Sequence, residues 1–242
     1  MKILVKLYTL WVLIVFSVFM IVLLPGIMIP LLLGPKFSRI GYFFLWLWSW
    51  IFSMLTFIRY DLRGRENIQK KTSYIYVSNH TSFLDIPGIR LLIPGEFRPI
   101  AKKELLKIPV FGFIVRAATV VVDRSNAQSR KQSIEKLRDI LKGGTSILVF
   151  AEGTQNRTKE ILQPFKDGAF RIAIDTQLPI IPLVVIGAGP LMPPGKMDIK
   201  PGNIKVVAGE PISVEGLITD DVQTLKQKTF ETMLAIYKRN SL

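Results

Sequence analysis

Two long apolar segments open this chain and restrict its fold more than any other feature. Residues 7–35 carry no formal charge, and residues 40–58 form a second uncharged stretch bracketed by Arg39 and Arg59. A membrane-spanning helix needs about 20 apolar residues, so each run is long enough to sit in a bilayer. A cleaved secretory signal is the plainer alternative. The first run is too long for one, a second follows at once, and no small-residue cleavage site separates them. The pair reads as a retained anchor.

Pro25-Gly26 and Pro30 are expected to break the first segment near Leu24, leaving about 27 Å of helix, which is short for a crossing. Lys2, Lys6, Lys36, Arg39 and Arg59 flank the runs on every side, so basic residues set no orientation. Trp46, Trp48 and Trp50 sit in mid-segment, whereas a spanning helix keeps tryptophan at its ends. These features suit a helical hairpin embedded in one leaflet, with Lys36 and Arg39 reaching headgroups. Two ordinary crossings are the alternative. The expected division is a membrane hairpin over residues 1–59 and an α/β domain over 60–242, at a cell membrane.

The 242 residues include 32 Lys and Arg against 18 Asp and Glu, a net charge of +14, which calls for an anionic partner: nucleic acid, anionic lipid or a phosphate-bearing substrate. The apolar front and the lack of a recognised nucleic-acid module argue against the first. There is no cysteine, which excludes disulfides, thiolate metal sites and a cysteinyl acyl-enzyme. His80 is the single histidine, so a polyhistidine metal centre is excluded too, and no metal is expected.

Beyond residue 60 the pattern alternates. Apolar, β-branched runs at 73–78, 119–123, 146–150, 180–186 and 204–208 read as strands. Between them, Ser125 is placed to cap a helix striped by Ile134, Leu137 and Leu141 and ended by Gly143-Gly144. Asp220 is placed to cap a last helix with Leu225, Met233, Leu234 and Tyr237 inward. Residues 187–202, with Pro190, Pro193, Pro194 and Pro201, read as a surface loop. The expected fold is an α/β domain with a mixed, mostly covered sheet.

The most informative segment is Asn79-His80-Thr81-Ser82-Phe83-Leu84-Asp85, where a strand ends and a helix starts near Ser82. In one continuous helix, positions five apart do not face each other. At a strand-to-helix turn Asp85 can reach the imidazole. Such a base and its orienter are what hydroxyl chemistry needs: the imidazole takes the proton, and the carboxylate fixes its tautomer. The plainer reading is a capping box, in which Asp85 only satisfies the helix start. Downstream, Gly153 permits close backbone approach, while Thr154 and Arg157 can meet a phosphate or hydroxyl. Lys102 and Arg124 are further candidate cations, or else simply solvated. The candidate substrate-binding set is Lys102, Arg124, Glu152, Gly153, Thr154 and Arg157.

Taken in order, these segments resemble the glycerophospholipid acyltransferase family, especially its bacterial 1-acylglycerol-3-phosphate acyltransferases. The family's first motif matches at Asn79, His80, Ser82 and Asp85. The second matches at Lys102, Pro109, Gly112 and Arg124, and the third at Phe150, Glu152, Gly153 and Thr154. The apolar run Ile180-Ile181-Pro182-Leu183-Val184 is similar to the fourth. The resemblance implies direct transfer of a fatty acyl group to the sn-2 hydroxyl of a lysophospholipid, giving phosphatidic acid. The donor is acyl-CoA or acyl-carrier protein, with no cofactor and no acyl-enzyme. The chain departs from the pattern at Ala151 and at Gln155, where the family carries an arginine expected to grip the acceptor's phosphate. It also has Ala117-Ala118-Thr119 where a glycine is common. Arg157, Lys159 or Lys166 is then left to supply that charge, and another lysolipid, such as lyso-ornithine lipid, is the alternative acceptor. A serine hydrolase lacks its elbow, since Gly144-Thr145-Ser146 has no second glycine after it. A non-catalytic lipid-binding protein stays open as a second class.

Overall fold

A computed structural model describes residues 2–69, 72–107, 111–122 and 127–241, without the side chains of Lys102, Phe111 and 127–134. The hydrophobic front is a pair of helices, α1 (Lys2–Leu32) and α2 (Ser38–Thr56). The expected break near Leu24 does not occur, and α1 runs unbroken through Pro25 and Pro30. Each proline deletes one backbone donor, yet melting the turn would strip partners from several more in apolar surroundings. The neighbouring helix also braces the spot: a Cβ on Gly26 would lie 2.6 Å from the Phe44 ring, and one on Gly41 would lie 2.8 Å from the Ile27 carbonyl. Small residues thus let the two backbones close together.

Of the two helices, α1 alone is long and apolar enough to cross a membrane. The reading of the second segment as another possible crossing is corrected accordingly. α2 interrupts its apolar run with Ser49, Ser53 and Thr56, which bond back to the chain through Leu45, Ile58 and Phe52. Trp48 is buried and donates to the Phe16 carbonyl at 3.4 Å, so it packs the hairpin instead of marking a membrane interface. Trp11 and Tyr8 donate to the carbonyls of Leu55 and Thr56, closing the open end.

The chain continues as β1 (Ile58–Arg63), β2 (Ile75–Ser78), α3 (Asp85–Leu92), β3 (Phe97–Lys102), α4 (Phe111–Ala118), β4 (Val120–Val122), α5 (Ala127–Lys142), β5 (Ser146–Phe150), α6 (Gly168–Thr176), β6 (Ile180–Ile186), α7 (Ala188–Leu191), β7 (Gly202–Ala208) and α8 (Val222–Asn240). The strands form one sheet in the order β1-β7-β6-β2-β5-β3-β4, parallel at every pairing except β6 with β7. The mixed, covered sheet is as expected.

β2, at the centre, is buried at every position because helices cover both faces. Tyr76, Leu148 and Leu183 join Val12, Ile27 and Phe52 of the hairpin in one apolar cluster. Ile75, Val77, Ile147 and Val149 alternate to the other face, against α5, α6 and α8.

Two strands were not read from the pattern. β1 alternates buried and exposed residues, with Arg59, Asp61 and Arg63 outward, and so lacks an apolar run. β3 contains Arg98 and Pro99, and a proline argues against a strand when only the sequence is read. Other expectations shift locally. α3 starts at Asp85, after a turn, not near Ser82. Asp221, not Asp220, precedes α8, and its carboxylate accepts the Ile218 N–H at 2.9 Å. Ser125 lies outside the described residues. The 187–202 stretch includes α7 and is not wholly superficial, since Met192 and Ile199 are buried.

Candidate active site

The site grows from the C-terminal end of β2. Where the strand stops at Ser78, the Asn79 side chain continues its bonding: Nδ2 donates to the Val185 carbonyl at 2.9 Å, and Oδ1 accepts the Val185 N–H at 2.8 Å. A side-chain amide here replaces one step of the ladder and frees the backbone to turn. His80 comes next, on that turn.

Its imidazole Nδ1 lies 2.8 Å from Asp85 Oδ2. The same oxygen accepts the backbone N–H groups of Thr81 at 2.8 Å and Ser82 at 2.9 Å. One carboxylate oxygen therefore both holds the histidine and satisfies two donors of the turn that leads into α3, and the helix dipole favours its charge in the first helical turn. α3 itself has no side-chain cap, so Asp85 braces the turn and orients the imidazole instead of capping the helix. With a carboxylate opposite Nδ1, the Nδ1–H tautomer follows, and Nε2 keeps its lone pair. Nε2 has no hydrogen bond to any described residue.

Asp85 is fully buried, while the His80 side chain is 14% exposed. The ring stacks on Phe150 at the end of β5, with centroids 4.0 Å apart and planes 20° apart. Ser82 Oγ donates to the Met192 carbonyl at 2.9 Å and accepts from the Leu84 N–H at 3.2 Å, tying the turn to the 187–202 stretch. Tyr60 Oη donates to the Leu84 carbonyl at 3.0 Å from the other side.

Glu152 faces inward. One oxygen accepts the His80 N–H at 3.2 Å and the other the Gln163 N–H at 3.1 Å. Only 3% of it is exposed, and burial pushes its pKa up to about 7, against the lowering effect of those two bonds and of His80. Its geometry is that of a brace for the His80 turn. Gly153 follows at φ +77, a left-handed position that a side chain would strain. Asn156, buried, returns to the same turn by donating its N–H to the His80 carbonyl at 2.7 Å, and its Oδ1 gathers Thr158 and Gln163.

Thr154 and Arg157 are exposed, with Arg157 resting against Gly195. The amide nitrogen of Gln155 is shielded from solvent and has no hydrogen-bond partner among the described residues. Lys102 ends β3 with its backbone paired to Val122, its side chain being outside the description. Arg124 and Pro109 lie outside the described residues altogether. The sequence reading missed Asn79, Asn156 and Tyr60 as supports of the turn. The polar Asn79 at the end of an apolar strand was the one available signal.

A family model described as "Acyltransferase" matches residues 59–186. A chloroplastic 1-acyl-sn-glycerol-3-phosphate acyltransferase, LPAT1, from Arabidopsis thaliana is 34% identical over 200 residues, covering 81% of this chain and 55% of that protein. The 1-acyl-sn-glycerol-3-phosphate acyltransferase alpha of Homo sapiens is 32% identical over 186 residues, covering 76% and 65%. The chain thus spans little more than half to two-thirds of the length of these relatives. The crystal structure of the 1-acyl-sn-glycerophosphate (LPA) acyltransferase PlsC from Thermotoga maritima superposes with a TM-score of 0.85 at 25% identity, covering 98% of this chain and 96% of that one.

Proposed function

Because the chain belongs to the Acyltransferase family, we propose that it transfers a fatty acyl group from a thioester donor to the sn-2 hydroxyl of 1-acylglycerol-3-phosphate, making phosphatidic acid. The observation that carries this reading is the 2.8 Å contact between His80 Nδ1 and Asp85, which leaves Nε2 available as a base. Nε2 takes the proton as the acceptor oxygen attacks the thioester carbonyl. That attack forms the new C–O bond, and collapse of the tetrahedral species restores the carbonyl and breaks the C–S bond. The imidazolium, steadied by Asp85, returns the proton to the leaving thiolate.

The donor is acyl-CoA or acyl-carrier protein, acting as co-substrate, and no cofactor takes part. Lys102, Arg124 and Arg157 supply cationic charge for the acceptor's phosphate, with Thr154 as a hydroxyl donor. Glu152 and Gly153 hold the turns beneath them. The α1–α2 hairpin lies in one leaflet of a cell membrane, and the sheet domain is on the cytoplasmic side. Leu7, Ile14, Phe43 and Met54 on its outer face, with Phe83 beside the site, are exposed apolar groups that such a setting covers. The test is incubation of the full chain in lipid with lysophosphatidic acid and labelled acyl-CoA. Labelled phosphatidic acid is the expected product, and a purely lipid-binding protein makes none.

Gln155 favours a second reading, in which another lysolipid is the preferred acceptor. Its unpartnered amide offers no charge to a phosphate. Gln155→Arg is expected to raise kcat/KM for lysophosphatidate about tenfold over that for a headgroup without phosphate, the scale of one charged hydrogen bond. A panel of lysolipids, including lyso-ornithine lipid, reads this directly; an unchanged ratio assigns the phosphate to other side chains.

Glu152 predicts a pH signature. Its folded pKa of about 7 lies above the ordinary carboxylate value of 4.5. Between those values the folded chain holds a proton that the unfolded chain has released, so stability falls as pH rises through that window. Glu152→Gln should remove that slope, which approaches one proton per molecule, in melting curves taken from pH 5 to 8. Equal slopes in both proteins would contradict the assignment.

A further inference from the structure

One face of α2 carries Phe43, Trp46, Trp50 and Met54, spaced at three and four residues so that they form a stripe, and Phe57 follows at the helix's C-cap. Four of them are exposed, and Trp46 is half-buried. The stripe runs into a groove of about 510 Å³ between α2, β1 and α3, whose polar end is formed by Arg59 and Arg65. That size suits a lipid headgroup with the first part of its tails. Both arginines are exposed, and neither guanidinium has a hydrogen bond or ion pair with a described residue. No carboxylate lines the groove, because the nearby Asp61 turns to Arg63 at 2.7 Å. None of His80, Asp85 and Glu152 lines it either.

We propose that this groove is a second lipid site, which holds a non-reacting anionic phospholipid of the leaflet with its phosphate on Arg59 and Arg65 and a tail along the α2 stripe. The complementarity is of two kinds. Two unpaired guanidinium groups at a membrane surface attract and bidentately bind a phosphodiester. The aromatic stripe beside them is continuous with the face that the hairpin shows to lipid, so the tail never leaves apolar surroundings.

Tyr60 connects the groove to the chemistry. It lines the groove, its hydroxyl holds the Leu84 carbonyl next to Asp85, and its ring fills the space that a side chain on Gly88 would need. A bound lipid therefore packs against the residue that steadies the catalytic turn. The inference rests on the hairpin lying in the leaflet, and not on His80 acting as a base.

The test uses the full chain in a neutral detergent with equal mole fractions of phosphatidylglycerol and phosphatidylcholine, without an acyl donor. Retained lipid is read by native mass spectrometry. The wild-type chain is expected to keep one phosphatidylglycerol in preference to phosphatidylcholine by about thirtyfold, the scale set by two surface arginines. Arg59→Gln/Arg65→Gln should abolish that preference, and both side chains are exposed and unbonded, so the fold survives. Lys36→Gln/Arg39→Gln removes the same charge elsewhere and should keep the preference, and excess glycerol phosphate should not displace the lipid. Equal retention by wild type and the Arg59/Arg65 variant overturns the site, as does equal loss in the Lys36/Arg39 control. One-for-one displacement by lysophosphatidate would also overturn it, by making the groove part of the acceptor's own site. Loss of turnover in His80→Ala with unchanged retention separates this proposal from the catalytic one.

Discussion

His80→Ala should lower acyl transfer by about 10²–10⁴-fold, the contribution of a positioned general base, while the protein still folds and binds lipid. The fold should survive because the bonds that shape this turn are made by its backbone. Glu152 accepts the His80 N–H, and the His80 carbonyl accepts from Asn156. Alanine keeps both. What is lost is the imidazole with its contacts to Asp85 and Phe150. Initial rates with labelled acyl-CoA, alongside a melting curve, make the measurement. A variant that folds and turns over near the wild-type rate would leave the proposed base without a role.

Asp85→Asn should cost on the order of 10²–10³-fold in rate, the usual loss when one preorganised electrostatic partner is removed. The reason differs from the one the sequence suggests. Spacing alone implies that an amide would upset the tautomer of His80. In the fold a single oxygen accepts from His80, Thr81 and Ser82, and an amide oxygen in that position can hold the same three donors. Asparagine therefore keeps the geometry and the bonds of the turn but removes the negative charge that steadies the imidazolium. Asp85→Ala removes those bonds as well and should cost a further ~1 kcal/mol of stability. If Asp85→Asn matched wild type in rate, bracing the turn would be the whole task of this carboxylate.

The divergence shows what could be read in the residues and what could not. β5 and β6 were legible to the residue, because strands buried on both faces leave apolar runs. The His80–Asp85 pair was legible because a strand-to-helix turn is the geometry that brings five-apart residues together. β1 and β3 were not, since an edge strand with alternating charge and a strand holding Pro99 carry no local sign of the sheet that recruits them. Nor could the direction of Glu152 be read. Its partners are the N–H groups of His80 and Gln163, one 72 positions away and the other 11, and backbone donors leave no mark on residue identity. The continuity of α1 through its prolines depends on Phe44 and Gly41, which lie on another helix.

Arg90 shows how firmly the halves are joined. Buried on α3, it donates to the Gly95 carbonyl and lies over the rings of Tyr42 from α2 and Phe97 from β3. Burial lowers its pKa to about 10, and it is still a cation near neutrality. With the apolar cluster that runs from Val12 and Phe52 to Tyr76 and Leu183, it packs hairpin and sheet into one core. If the hairpin lies in the leaflet as proposed, the depth at which the helices float sets the altitude of the imidazole above the hydrocarbon. Under that proposal a glycerol hydroxyl is selected by its height in the leaflet as well as by its chemistry. Shaving off the first two helices would strip the sheet of one wall, so the expected outcome is an insoluble remnant, not a water-soluble enzyme.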